Sequence, residues 1–307
     1  MSATPQMSPF QRPQTLSIVG LGLMGGSLAR AVKEGDLPWR VRGLARGAET
    51  RREALAAGAI DEACATAAEA AAGAALVVIA LPVGSIADAA RDLAPHLAPG
   101  TVVTDVGSTK GALTGRVEAV LPPGVPFVGG HPIAGTEESG FAASFAGLYR
   151  GARCLLTPGA TSTPEAIALV RSLWEGVGMR VETMDAAAHD RILAVISHLP
   201  HVVAYALVNA AARADAGLPG LLSYTGGGFR DFTRIAASHP AMWRDICLDN
   251  RGEVLRALDE FLDEAGRLRA LIAAGDEVGL EGAFDAARVV RRSLAPAPAA
   301  RRTEVRP

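Results

Sequence analysis

The stretch from Thr15 to Gly35, TLSIVGLGLMGGSLARAVKEG, limits the possible folds more than any other part of the chain. Strand formers from Leu16 to Val19 run into Gly20, Gly22, Gly25 and Gly26, and helix formers follow from Ser27 to Lys33. This order is a strand, a tight glycine turn and a helix start. Such a turn gathers bare backbone N–H groups and the positive end of a helix dipole at one point, where a diphosphate fits. Gly20 allows the turn, and Gly22 lets a pyrophosphate approach the backbone beside Leu23 and Met24. Gly25 lets helix and strand pack closely. A glycine-rich turn without a ligand is the alternative; its place after an apolar strand and before a helix favours the binding loop.

With 307 residues the chain has room for two domains at roughly 150 residues each. The hydrophobic fraction is 49% and the charged fraction 20%, enough for a large core. A net charge of −2 gives no reason to expect nucleic acid or an anionic membrane as partner. Cys64, Cys154 and Cys247 are far apart and odd in number, which argues for a reducing compartment over a disulfide framework. No Cys/His spacing suits a metal, and none is expected. The first fourteen residues lack the apolar core of a signal peptide. No stretch reads as a membrane span of about 18 or more apolar residues. These features predict a soluble, cytoplasmic protein.

Strand and helix patterns alternate from residue 15 to 185. Short apolar runs at Leu16–Val19, Val41–Ala45, Ala75–Leu81, Thr101–Val106, Pro126–Val128, Cys154–Thr157 and Arg180–Thr183 read as strands of a parallel sheet. Helical stretches between them include Glu49–Ala57, Ile86–Leu97 and Pro164–Val177. The pattern predicts a doubly wound α/β domain of the Rossmann type. Residues 186–293 carry only helical patterns, at Ala186–Ile196, Leu199–Ala214, Met242–Ala273 and Glu277–Arg292, and predict an all-helical domain that forms a homodimer. The ends, 1–14 and 294–307, read as disordered tails.

The second strand bears on the cofactor. NAD-binding folds place an acid about 20 positions past the glycines to hold the ribose 2′-hydroxyl. Here the strand ends Gly43-Leu44-Ala45-Arg46, and the next acid is Glu49. Arg46 can clamp a 2′-phosphate instead. This favours NADP over NAD; Arg46 as a solvated helix-start residue, with NAD as cofactor, is the competing reading.

Three polar clusters exceed what a core requires. Asp105-Val106-Gly107-Ser108-Thr109-Lys110 follows a strand at the carboxyl edge, where such sheets bind ligands, and Ser108 can donate to a substrate oxygen or cap a helix. In Gly129-Gly130-His131-Pro132 the backbone is tightly constrained, and a neutral imidazole there suits proton transfer near neutral pH. The third cluster holds His189, Asp190, Ser197, His198 and His201, followed by Gly226–Gly228, Arg230, Asp231, Arg234 and Trp243. Arg230 and Arg234 share a face if helical and suit an anionic substrate with more than one carboxylate. The triple glycine reads as a loop.

The strings GLGLMGGSLA, DVGSTK, GGHPIAGTEESGF, HDRILAVISHLPH and GGGFRDFTRIAASHPAMW together resemble the prephenate/arogenate (cyclohexadienyl) dehydrogenase family of tyrosine synthesis. The resemblance implies oxidative decarboxylation of prephenate or arogenate with reduction of NAD(P). It implies that His131 bonds the substrate ring hydroxyl and that Ser108 orients that hydroxyl and the nicotinamide. Arg234 would bind a substrate carboxylate, with Glu137 and Asp231 as acids near it. Thr136, Ser197, His201 and Arg230 would complete the substrate pocket, and His189 is a looser match. No mutase-like segment or regulatory domain is expected. Two other readings compete. A 3-hydroxyacid dehydrogenase or imine reductase would need a lysine in the helical half, and residues 186–295 contain none. A non-catalytic dinucleotide sensor would have no use for His131, Ser108 and Arg234 together.

Overall fold

The computed structural model describes residues 14–294. The expected terminal tails lie outside the described residues, apart from Gln14, which opens the first strand, and Leu294. The first half of the chain alternates β1 (Gln14–Val19), α1 (Leu23–Glu34), β2 (Trp39–Leu44), α2 (Ala48–Ala56), β3 (Glu62–Cys64), α3 (Ala67–Ala71), β4 (Leu76–Ile79), α4 (Val83–Leu93), β5 (Val102–Asp105), α5 (Gly111–Glu118) and β6 (Phe127–Ile133). Then come β7 (Arg153–Pro158), α6 (Pro164–Gly176) and β8 (Arg180–Thr183). The remainder is helical: α7 (Ala186–Leu193), a π-helical turn (Ala194–His198), α8 (Leu199–Gly217), α9 (Gly227–Thr233), α10 (Pro240–Asp249), α11 (Arg251–Ala274) and α12 (Glu277–Ser293).

One eight-stranded sheet has the order β3-β2-β1-β4-β5-β6-β7-β8. It is parallel through β6, but contrary to the parallel reading of the last two strands, β7 runs antiparallel to β6, because no crossover α-helix joins them, and β8 is parallel to β7. The central strands are apolar on both faces because helices cover both. Leu76-Val77-Val78-Ile79 of β4 is wholly buried. Helix α4 buries Val83, Ile86, Ala90 and Leu93, a spacing that keeps one stripe on the sheet. Each such aliphatic side chain contributes about 1.5–3 kcal/mol through burial. The chain reverses its winding at β1, which pairs with β2 on one side and β4 on the other. Ligands of open α/β sheets bind beyond the carboxyl ends of the strands at that switch.

Compact packing does not follow chain order. One unit runs to His189 and also takes in His239–Asp249; the other comprises Asp190–Ser238 and the chain from Asn250 onward. The expected single helix Met242–Ala273 is two, α10 and α11, broken at Asn250. The side chain of Asn250 is buried and donates to the carbonyl of Asp190 at 2.8 Å, so the break is held by a tertiary contact that periodicity does not reveal. The triple glycine is not a loop: Gly226 caps α9, and Gly227 and Gly228 form its first turn. That helix ends at Thr233, so Arg234 opens a 3₁₀ turn and does not continue the face of Arg230. The helical run Ala186–Gly217 is long and apolar enough to cross a membrane by length and composition, contrary to expectation, because its alanines and aliphatics are interrupted by few charges.

The carboxyl ends of β5 and β6 are joined by one carboxylate. Asp105 is fully buried, and its Oδ2 accepts the N–H of Gly107 at 2.8 Å while its Oδ1 accepts the N–H of Gly130 at 3.0 Å. Lys110, also fully buried, donates to Oδ2 and neutralises it. A carboxylate in such surroundings is tolerable only when paired and hydrogen-bonded. Lys110→Met leaves the acid without its cation and is expected to cost about 3–5 kcal/mol in urea unfolding. A loss under about 1 kcal/mol would mean that the pair does not hold the strand ends together.

Candidate active site

The glycine turn comes first. Gly20 has φ +102°, and a Cβ there would stand 2.4 Å from the carbonyl oxygen of Ala80. A Cβ on Gly25 would stand 1.9 Å from the carbonyl oxygen of Gly20. The turn and the helix–strand contact therefore demand both glycines. Gly22 differs: a Cβ there would meet nothing within 4 Å. No neighbouring protein atom requires glycine at position 22, yet this residue is the N-cap of α1, and its bareness keeps the helix terminus open to a large anion. Leu23 is buried and Met24 half-buried, with the Met24 carbonyl accepting the Tyr149 hydroxyl at 2.7 Å. These features fit a dinucleotide diphosphate.

Arg46 is exposed just past β2. Arg51 donates to the carbonyls of Ala45 and Arg46, which ties this turn to α2. Glu49, the first acid after the strand, is paired with Arg52. The turn thus carries three guanidinium groups and one engaged carboxylate.

His131 lies in β6 opposite Leu155 of β7. The strand continues past the apolar run Phe127-Val128 because the two glycines pair with β7 through backbone alone, and close packing requires them. A Cβ on Gly129 would lie 2.4 Å from Oγ1 of Thr157, and one on Gly130 would lie 2.8 Å from the carbonyl oxygen of Asp105. The Asp105 bond to Gly130 fixes the residue before His131, and its bond to Gly107 fixes the residue before Ser108. Ser108 is half-buried at that turn, and helix α5 begins at Gly111, capped by no Ser108 hydroxyl. Thr109 is buried and donates to Asp249 at 2.5 Å. Thr136 and Glu137 lie in the exposed loop after β6, where the Thr136 hydroxyl accepts the Glu138 N–H at 3.2 Å.

His131 has a partner, His189, which the family resemblance matches only loosely. Its Nδ1 lies 2.8 Å from Nε2 of His189, with ring centroids 5.1 Å apart and planes at 61°. His189 is fully buried and His131 is 8% exposed. Asp105 and Lys110 were likewise singled out only as neighbours of Ser108. One signal was present for Lys110: the chain has two lysines, Lys33 and Lys110, against 28 arginines.

The second unit holds the remaining candidates. Pro200, in the first turn of α8, has no N–H to give the preceding turn, and the helix widens there into the π turn Ala194–His198. Ser197 and His201 sit at this widening, and Nδ1 of His201 lies 2.8 Å from the Ser197 carbonyl oxygen. A carbonyl only accepts, so Nδ1 carries the proton and the neutral ring keeps its lone pair on Nε2. Burial lowers the His201 pKa, the Ser197 carbonyl opposes that, and the positive charge of Arg234 lowers it further. The ring therefore stays neutral at physiological pH. His198 belongs to a structural contact, with Nδ1 at 3.2 Å from the Asn250 amide. Arg230 and Asp231 are exposed on α9, and Arg234 is exposed at the turn that follows. His131, Ser108, Thr136, Glu137 and the glycine turn thus belong to one compact unit, and Ser197, His201, Arg230, Asp231 and Arg234 to the other.

Comparison with known proteins gives these positions a context. The family model for "Prephenate dehydrogenase, nucleotide-binding domain" matches residues 28–183, and that for "Prephenate dehydrogenase, dimerization domain" matches residues 185–285. The chain is 36% identical to prephenate dehydrogenase of Bacillus subtilis over 285 residues, covering 92% of this chain and 77% of that protein. It is 36% identical to cyclohexadienyl dehydrogenase of Zymomonas mobilis over 264 residues, 85% of this chain and 89% of the relative. The crystal structure of Aquifex aeolicus prephenate dehydrogenase with hydroxyphenyl propionate and NAD+ superposes with a TM-score of 0.86 at 37% identity, covering 92% of this chain and 98% of that one. By both of its domains, the chain belongs to the prephenate dehydrogenase family.

Proposed function

We propose that His131 is the proton-transfer group and that Arg234 grips a substrate carboxylate. As a member of its family the chain is an NAD(P)-dependent oxidoreductase that performs an oxidative decarboxylation in tyrosine biosynthesis. The observation that carries the assignment of roles is the burial of His131 on a strand, with the residue before it and the residue before the half-buried Ser108 both held by Asp105.

The substrate is a cyclohexadienol with a carboxylate on the ring carbon opposite the hydroxyl. Gly20, Gly22 and Gly25 would hold the diphosphate of a dinucleotide whose nicotinamide, when bound, would supply the acceptor for the hydride lost from the hydroxyl-bearing carbon. His131 takes the hydroxyl proton as that C–H bond breaks. Ser108 donates to the same oxygen and keeps its O–H directed at the imidazole. The ring carboxylate departs as CO₂, because the electrons it leaves complete an aromatic ring. The His131 imidazolium then returns its proton to the phenolate oxygen so formed. Atoms and charge balance with one hydride transferred and one CO₂ released. Arg234 holds a substrate carboxylate, Arg230 adds positive charge, and Glu137 and Asp231 steady the arginines. Thr136, Ser197 and the neutral His201 are the remaining candidates for substrate contact.

The turn after β2 supports NADP as the preferred cofactor, since Arg46 stands where NAD enzymes carry an acid and Glu49 is paired with Arg52. A homodimer in the cytoplasm is supported by exposed Ile192, Val195 and Ile196 on an apolar helical run and by three cysteines that form no disulfide.

The direct test is growth of reduced-nicotinamide absorbance with prephenate and, separately, arogenate. Turnover of either is expected; cofactor binding without turnover of either would leave a dinucleotide sensor. His131→Asn is expected to lower kcat by about 10²–10⁴ while the cofactor still binds. Wild-type turnover in that variant would remove His131 from the mechanism. Arg234→Gln is expected to raise KM about tenfold or more with little change in kcat. The reverse pattern would give Arg234 a transition-state role. A lower KM for NADP than for NAD is expected; a preference of about tenfold for NAD would overturn the reading of Arg46.

A further inference from the structure

We infer that His189 is a positioning residue that fixes His131 in the tautomer with its proton on Nδ1 and its lone pair on Nε2. The inference rests on the reading of His131 as the general base. Two neutral imidazoles meeting nitrogen to nitrogen at 2.8 Å need one N–H and one lone pair between them. If His189 were the donor, His131 would hold its proton on Nε2 and have no lone pair to offer a substrate hydroxyl. Proton uptake by His131 would then set two N–H groups against each other. With His189 as acceptor, the Nδ1–H of His131 donates both before and after proton uptake. The contact becomes charge-assisted at the moment the imidazolium forms and needs no rearrangement.

Both rings stand on supports that resist reorientation. His189 lies in the first turns of α7, where Oδ1 of Asp185 accepts the N–H groups of Ala187 and Ala188 at 2.9 Å each. The backbone N–H of His189 itself donates to the Asp185 carbonyl at 2.9 Å. Its ring is fully buried, with Nε2 meeting Nδ1 of His131 at 2.8 Å. His131 is held by the β6–β7 register and by the Asp105 bond to Gly130. A group whose only task was to fill the core would not need a nitrogen aimed at this one.

The test uses the full-length enzyme, with ¹⁵N-labelled histidine followed by NMR and steady-state kinetics on variants. In the wild type, His131 is expected to show a protonated Nδ1 and an unprotonated Nε2. His189→Leu is expected to lower kcat about 10–100-fold with KM for the cofactor changed less than about twofold, and to mix the His131 tautomers. His189→Gln, whose amide oxygen can accept, is expected to recover part of the rate. A wild-type His131 protonated on Nε2 would overturn the inference whether or not the variants fold. Wild-type kcat in His189→Leu, alongside an inactive His131→Asn, would overturn it while leaving His131 as the base. An active His131→Asn would instead remove the reading on which the inference stands.

Discussion

The buried carboxylate of Asp105 is the constraint on which the site depends. Its two oxygens take backbone N–H groups from two segments that are distant in sequence, the turn bearing Ser108 and the strand bearing His131. The approach is so close that neither donor can carry a side chain: a Cβ on Gly107 would lie 2.7 Å from Oδ2 of Asp105, and Gly130 is equally confined. The charge must be balanced inside the protein, and Lys110 does so with an ammonium that fits a space of zero exposure. A guanidinium presents five donors in a rigid plane and would need acceptors for all of them. This explains a lysine at 110 in a chain that otherwise meets nearly every cationic position with arginine.

Such rigidity suits the reaction. Loss of CO₂ is driven by aromatisation, so the protein need not supply a strong electrophile. It must hold a hydroxyl against an imidazole and the C–H of the same carbon against a hydride acceptor, and small errors of placement are costly. The glycine turn and the Asp105 clamp are held by backbone and buried contacts, and the imidazoles of His131 and His189 meet in the same buried surroundings. Exposed ion pairs such as Arg52–Glu49 and Arg150–Glu34 contribute little by comparison, since solvent screens them.

The sequence disclosed the dinucleotide turn, the positions of seven of the eight strands and the helical second half, because these depend on local spacing, but not the reversed direction of β7 and β8. It offers His131 and Ser108 as candidates through their place near strand ends. It did not disclose what depends on tertiary contact. β3 is only three residues long, Glu62–Cys64, too short for a period to show. β6 reaches His131 through two glycines that interrupt any apolar run but leave the backbone free to pair with β7. The break between α10 and α11 lies within a helical pattern and is held by the Asn250 side chain on the Asp190 carbonyl. The contact between His131 and His189 joins residues 58 positions apart, which no local spacing reveals. The glycines at 227 and 228 look like loop residues because glycine disfavours helices, yet they open α9.

The most direct test of the central claim is a crystal structure of the enzyme with oxidised cofactor and a hydroxyphenyl product analogue. The phenolic oxygen is expected within hydrogen-bond distance of Nε2 of His131, with Arg234 on the analogue's side-chain carboxylate and the diphosphate against Gly22. An analogue bound with its phenol away from His131, or with His131 and Arg234 facing separate cavities, would contradict the mechanism.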